Sequence, residues 1–93
     1  MTWTVEFTDG AAKSAAKLPD LYHGALLSLV RDIEEYGPVR GNMPNYSKLG
    51  QNRHHCHLKR RGKPTYVAVW EVIDKICKIV EVTYVGTREK APY

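Results

Sequence analysis

Residues 3 to 8 alternate, with Trp3, Val5 and Phe7 on one side and Thr4, Glu6 and Thr8 on the other, the period of a half-buried strand. After Asp9-Gly10 the spacing changes. Ala11, Ala12, Ala15, Ala16 and Leu18 recur at helical intervals, and Pro19 ends that helix. Asp20 then reads as the N-cap of a second helix whose apolar stripe runs Leu21, Ala25, Leu26, Leu29, Ile33 and Tyr36, with Gly37-Pro38 as its exit. The stretch from 37 to 50 is rich in Gly, Pro, Asn and Ser and predicts a loop that crosses to the sheet. Strands are expected over 53–60, 65–72 and 76–85, joined by turns at Arg61-Gly62-Lys63-Pro64 and Ile73-Asp74-Lys75. The order is βααβββ. It predicts a single α+β domain over 1–93, a mostly antiparallel four-stranded sheet with a helical hairpin on one face.

A chain of 93 residues can bury one core layer and no more. No run approaches the roughly 18 apolar residues of a membrane span, and the first residues lack the zones of a secretory leader, so a cytoplasmic protein is expected. The two cysteines, Cys56 and Cys77, fall in predicted strands without a CxxC spacing and read as small buried hydrophobes.

The net charge of +4 understates how the charge is arranged. Between Tyr36 and Trp70 lie seven Lys or Arg residues and three of the four histidines, with no Asp or Glu. Such a block favours a polyanionic partner. Alternation along the strand that starts at Arg53 sends His54, Cys56 and Leu58 to the core face and Arg53, His55, His57 and Lys59 to the other. Same-face neighbours on a strand are about 7 Å apart, close to the spacing of RNA phosphates. Fixed cations beside imidazoles that titrate near neutral pH are what holding and cleaving a phosphodiester requires. Two histidines on one face fall short of a zinc site, and no metal or other cofactor is expected. His23, on a helix, reads as a surface residue. Near the end of the chain, Arg88 is suited to clamping a phosphate and Tyr93 to stacking on a base.

The βααβββ order, Lys48-Leu49 after the long loop, the basic strand, Val69-Trp70-Glu71-Val72, and above all Val85-Gly86-Thr87-Arg88-Glu89-Lys90 with a trailing tyrosine resemble the RelE branch of the RelE/ParE toxin superfamily. The resemblance covers nearly the whole chain. It implies a type II toxin that enters the ribosomal A site and cleaves mRNA without metal, by attack of a ribose 2′-OH on the adjacent phosphate, and that is neutralised by a cognate antitoxin. The family's arginine after the last strand matches Arg88, and its terminal tyrosine matches Tyr93 with one residue deleted between them. Two family lysines fall on His55 and His57, and a family arginine falls on Val67, so its charge is missing unless Arg53, Lys59 or Arg61 supplies it. The expected catalytic set is therefore His55, His57, Arg88 and Tyr93, with Lys48, Arg53, Lys59 and Arg61 holding the RNA backbone. Two other functions are compatible with the same sequence. One is a ParE-like inhibitor of DNA gyrase, which needs no acid and base; the other is a non-catalytic nucleic-acid-binding module or degenerate toxin.

Overall fold

A computed structural model describes residues 2–59 and 64–93. Strand β1 (Thr4–Phe7) leads into helix α1 (Asp9–Ala16) and helix α2 (Asp20–Tyr36), followed by β2 (Ser47–Lys48), β3 (Arg53–His57), β4 (Tyr66–Asp74) and β5 (Ile79–Thr87), and a single 3₁₀ turn (Arg88–Lys90) precedes the C-terminus. Thr8 caps α1, its hydroxyl accepting the Ala11 N–H at 3.1 Å. At α2 the expected cap moves by one residue. Pro19 occupies the cap position without a side-chain hydrogen bond, and Asp20 is the first helical residue, where its charge meets the positive end of the helix dipole. The chain leaves α2 through Gly37 at φ 97°, where a Cβ would approach the Trp3 indole to 3.3 Å.

The sheet has five strands in the order β1-β5-β4-β3-β2, one more than expected. The additional strand is β2, whose two residues are too few to show any period. The pairings among β2, β3, β4 and β5 are antiparallel, and β1 runs parallel to β5, closing the sheet from the N-terminal side. Strand β3 stops at His57, three residues before the expected end, and β5 begins at Ile79 rather than 76. The turn between β4 and β5 spans 75–78 because Asp74 Oδ1 accepts the Cys77 N–H at 2.8 Å and Lys78 takes a left-handed φ of 56°. Cys77 is therefore exposed in a turn, not buried in a strand, whereas Cys56 is buried as expected and its thiol is pushed up to about 12 by desolvation.

One face of the sheet carries Cys56, Leu58, Ala68, Trp70, Val80, Val82 and Val85 against Ala11 and Ala15 of α1 and Leu26, Leu29 and Ile33 of α2. The two ends of the predicted α2 stripe, Leu21 and Tyr36, project beyond this layer and are 62% and 69% exposed. Trp70, fully buried, donates from Nε1 to the Pro38 carbonyl at 2.9 Å and so ties the exit of α2 to the middle strand. His54 lies on this same face, stacked on Trp70 with centroids 5.8 Å apart and hydrogen-bonded through Nδ1 to the Tyr46 hydroxyl at 2.7 Å. Among the described residues no helix is long and apolar enough to cross a membrane.

Candidate active site

The face of the sheet turned away from the helices is built by register. His57 lies opposite Val67, which lies opposite Gly86; His55 lies opposite Val69, which lies opposite Tyr84. Paired residues share a face, so two valines form the floor between a rim of imidazoles on β3 and a tyrosine on β5. Val67 and Val69 are fully buried, and His55 retains only 8% of its exposure. Of the side chains that alternation assigned to this face, His55 is buried, Arg53 and His57 are partly buried and Lys59 is exposed.

Closure comes from the C-terminus. After β5 the backbone is held by the Arg88 N–H on the Thr65 carbonyl at 2.9 Å, turns once, and brings the Tyr93 ring to 4.6 Å from His55, centroid to centroid. The His55 and His57 rings meet edge to face at 6.2 Å. Burial lowers the His57 pKa, and the positive charges of His55 and Arg88 lower it further. Burial raises that of Tyr93, with Arg88 opposing, so the phenol keeps its proton at neutral pH. Arg88 is thus within electrostatic reach of both rings. The four residues expected to act together, His55, His57, Arg88 and Tyr93, converge on one face at one end of the sheet.

Two contributors carry no signal in the sequence. Ser47 on β2 faces His55 and meets its Nδ1 with both Oγ at 3.0 Å and the backbone carbonyl at 3.3 Å. Both contacts are made through Nδ1, so Nε2 is the ring nitrogen they leave untouched. Tyr84 is the second. Its ring runs along its own strand over Gly86 and donates to the Thr87 carbonyl at 2.7 Å, fixing the strand end from which Arg88 departs. A two-residue strand and a hydrogen bond between near neighbours leave no pattern that periodicity could reveal.

The residues expected to hold the RNA backbone are scattered. Arg53 lies on the histidine face but at its far end, opposite Glu71, which in turn lies opposite Glu81. Lys48 pairs with His54 and so shares the helix side of the sheet. Lys59 is exposed just past β3, and Arg61 lies outside the described residues. His23 on α2 is half-buried and remote from the other histidines in the fold's order. Among the described residues no group of three or more His, Cys, Asp or Glu is placed to hold a metal ion.

No established family profile matches the sequence, and no curated protein matches it. Solved structures do. The toxin RelE of E. coli, a mutant in the free state, superposes with a TM-score of 0.72 at 21% identity over 98% of this chain and 88% of that one. A chain of the archaeal RelE–RelB complex from Pyrococcus horikoshii gives 0.66 at 22% identity, over 98% and 100% of the two chains. The YoeB dimer from Staphylococcus aureus gives 0.66 at 12% identity, over 89% and 93%. The chain has the fold of the RelE-like toxins.

Proposed function

We propose that the protein is the toxin of a type II toxin–antitoxin pair and acts as an endoribonuclease on mRNA in the ribosomal A site. The observation that supports this reading most is the convergence of two imidazoles, an arginine and a protonated phenol over a buried valine floor, in a fold shared with RelE. His57 is the general base. Its lowered pKa keeps it neutral at pH 7, so it can take the proton of a ribose 2′-OH as that oxygen attacks the adjacent phosphorus. His55, held at Nδ1 by Ser47, delivers a proton from Nε2 to the departing 5′-oxygen. Arg88 faces the extra negative charge of the pentavalent phosphorane, a role worth about 3 to 4 kcal/mol for a well-aimed group. Tyr93 lies on His55 in the free protein and is placed to pack against a nucleotide when mRNA enters. The products are a 2′,3′-cyclic phosphate and a 5′-hydroxyl, and no atom is required beyond those of the RNA.

The partner proteins follow from the same reading. An antitoxin segment with acidic and apolar residues would neutralise the chain, consistent with the RelE–RelB complexes among the structures that share its fold. Primer extension on an mRNA in a reconstituted translation system tests the activity. Discrete cuts in the A-site codon are expected with programmed ribosomes, with much weaker cutting of naked RNA. The same cuts with the His55→Ala/His57→Ala double variant would remove the histidines from the mechanism, and an absence of cuts with folded protein would overturn the nuclease reading.

A further inference from the structure

On the opposite side of the sheet from the histidine pair, a cavity of about 350 Å³ opens between Trp3, the loop after α2, the start of β3 and the end of β4. That volume lies at the lower end of the roughly 300 to 1,000 Å³ typical of small-ligand sites. Its walls divide by chemistry. Trp3 and Val72 are apolar, Lys48 and Lys75 bring two ammonium groups, and no carboxylate lines it among the described residues. Asp74, next to Lys75 in sequence, directs its carboxylate to the Cys77 N–H instead.

Two polar side chains, His54 and Asn52, stand in the wall. The Tyr46 hydroxyl and His54 Nδ1 share a hydrogen bond of 2.7 Å. Burial, and then the charge of Lys48, lowers the pKa of His54 and favours its neutral ring. Asn52 adds an amide whose Oδ1 is buried without a hydrogen-bond partner. The wall thus presents an indole, an imidazole, an amide side chain and two cations around one small space.

We propose that this cavity is a nucleotide site, taking a phosphate between Lys48 and Lys75 and a base against Trp3 and beside the Asn52 amide. It is separate from the cleavage centre and stands whether or not the protein cuts RNA. The nucleotide comes either free or as one unit of a strand that passes from one face of the sheet to the other. Lys48, which lies on the other side of the sheet from His55 and His57, thereby keeps a phosphate-binding role at a different place.

The test is a ¹H–¹⁵N NMR titration of the full chain with AMP, adenosine, inorganic phosphate and a short RNA oligonucleotide. AMP is expected to shift the Trp3 indole N–H and the Asn52 side-chain amide, with adenosine at least tenfold weaker. Lys48→Ala/Lys75→Ala, which changes two exposed side chains, is expected to weaken AMP at least tenfold. Asn52→Asp is expected to do the same by placing a negative charge in the wall. His57→Ala should leave AMP binding at this cavity intact, which separates the site from the cleavage centre. Tighter binding of the oligonucleotide at the same resonances assigns the nucleotide to a strand, and binding no tighter than AMP assigns it to the free compound. No shifts up to about 10 mM AMP, beyond which affinity is too weak to matter, would overturn the proposal. So would undiminished binding by the double lysine variant, or phosphate alone binding as well as AMP.

Discussion

His57 shows how a residue's chemistry is set by what it touches. It stands beside a buried valine where the family pattern has an arginine, and that valine withdraws water without adding a charge. Desolvation is the largest cause of its lowered pKa, ahead of His55 and Arg88. A lowered imidazole is neutral above its folded value and loses base function only when acid carries the pH below that value, so the acid limb of activity falls below 6.5. Ring-proton NMR should find His57 titrating below 6.5, and His55→Gln should move it upward by removing a neighbouring charge. A His57 that titrates at 6.5 or above in the intact protein would remove the basis for calling it the base. In cleavage assays, Arg88→Ala should cost about 10²- to 10³-fold in rate while leaving the fold unchanged, since its side chain is exposed. Strand alternation made His55 and His57 visible as a pair; Ser47, which orients one of them, lies eight residues away on a strand with no period of its own.

At the scale of elements, β5 and the tail form one device. Gly86 leaves room for the Tyr84 ring: a Cβ there would stand 2.7 Å from the hydroxyl oxygen and 3.0 Å from the ring carbon that bears it. Gly86→Ala should therefore displace that ring, break its bond to the Thr87 carbonyl and lower stability by about 1 kcal/mol, the worth of one hydrogen bond. Because Arg88 leaves from this point, cleavage should fall by at least tenfold, well beyond what the stability change explains. Tyr84→Phe, which keeps the ring and deletes the bond, isolates the second effect. Wild-type cleavage by both variants would reduce the arrangement to packing. The helices were legible because a stripe of Leu26, Leu29 and Ile33 must face a core at 3.6-residue spacing. The hairpin after β4 was not, because its boundary depends on one side-chain hydrogen bond from Asp74 and a left-handed Lys78.

Across the whole molecule, pairing rearranges the charge. The acid-free basic block loses that isolation when β4 sets Glu71 opposite Arg53 and β5 adds Glu81, so Arg53 lies among carboxylates at the end of the histidine face away from Arg88. The core also gains a pH dependence. Folding lowers the pKa of His54, chiefly through burial and then through Lys48, and of His57. Near and just below pH 6.5 the unfolded chain then binds more protons than the folded one, so stability falls as pH drops from 7 and levels off below the folded values. Thermal melts at pH 7.5, 6.5 and 5.5 should show this decline. His54→Phe, which keeps a ring on Trp70 and removes the titration, should flatten it. An unaltered slope in that variant would assign the pH dependence elsewhere.

The residue pattern alone determined the helical hairpin, the sheet it packs on and the side of β3 that His55 and His57 occupy. These depend on local periodicity and on chemistry carried by single residues, which order along the chain preserves. Only the tertiary structure decided that His55 is buried, that Arg53 sits opposite Glu71 and in line with Glu81, that Lys48 lies on the other face, and that Ser47 and Tyr84 bond within the site. Each of those depends on register between strands, where moving the pairing by one residue sends every side chain to the opposite face.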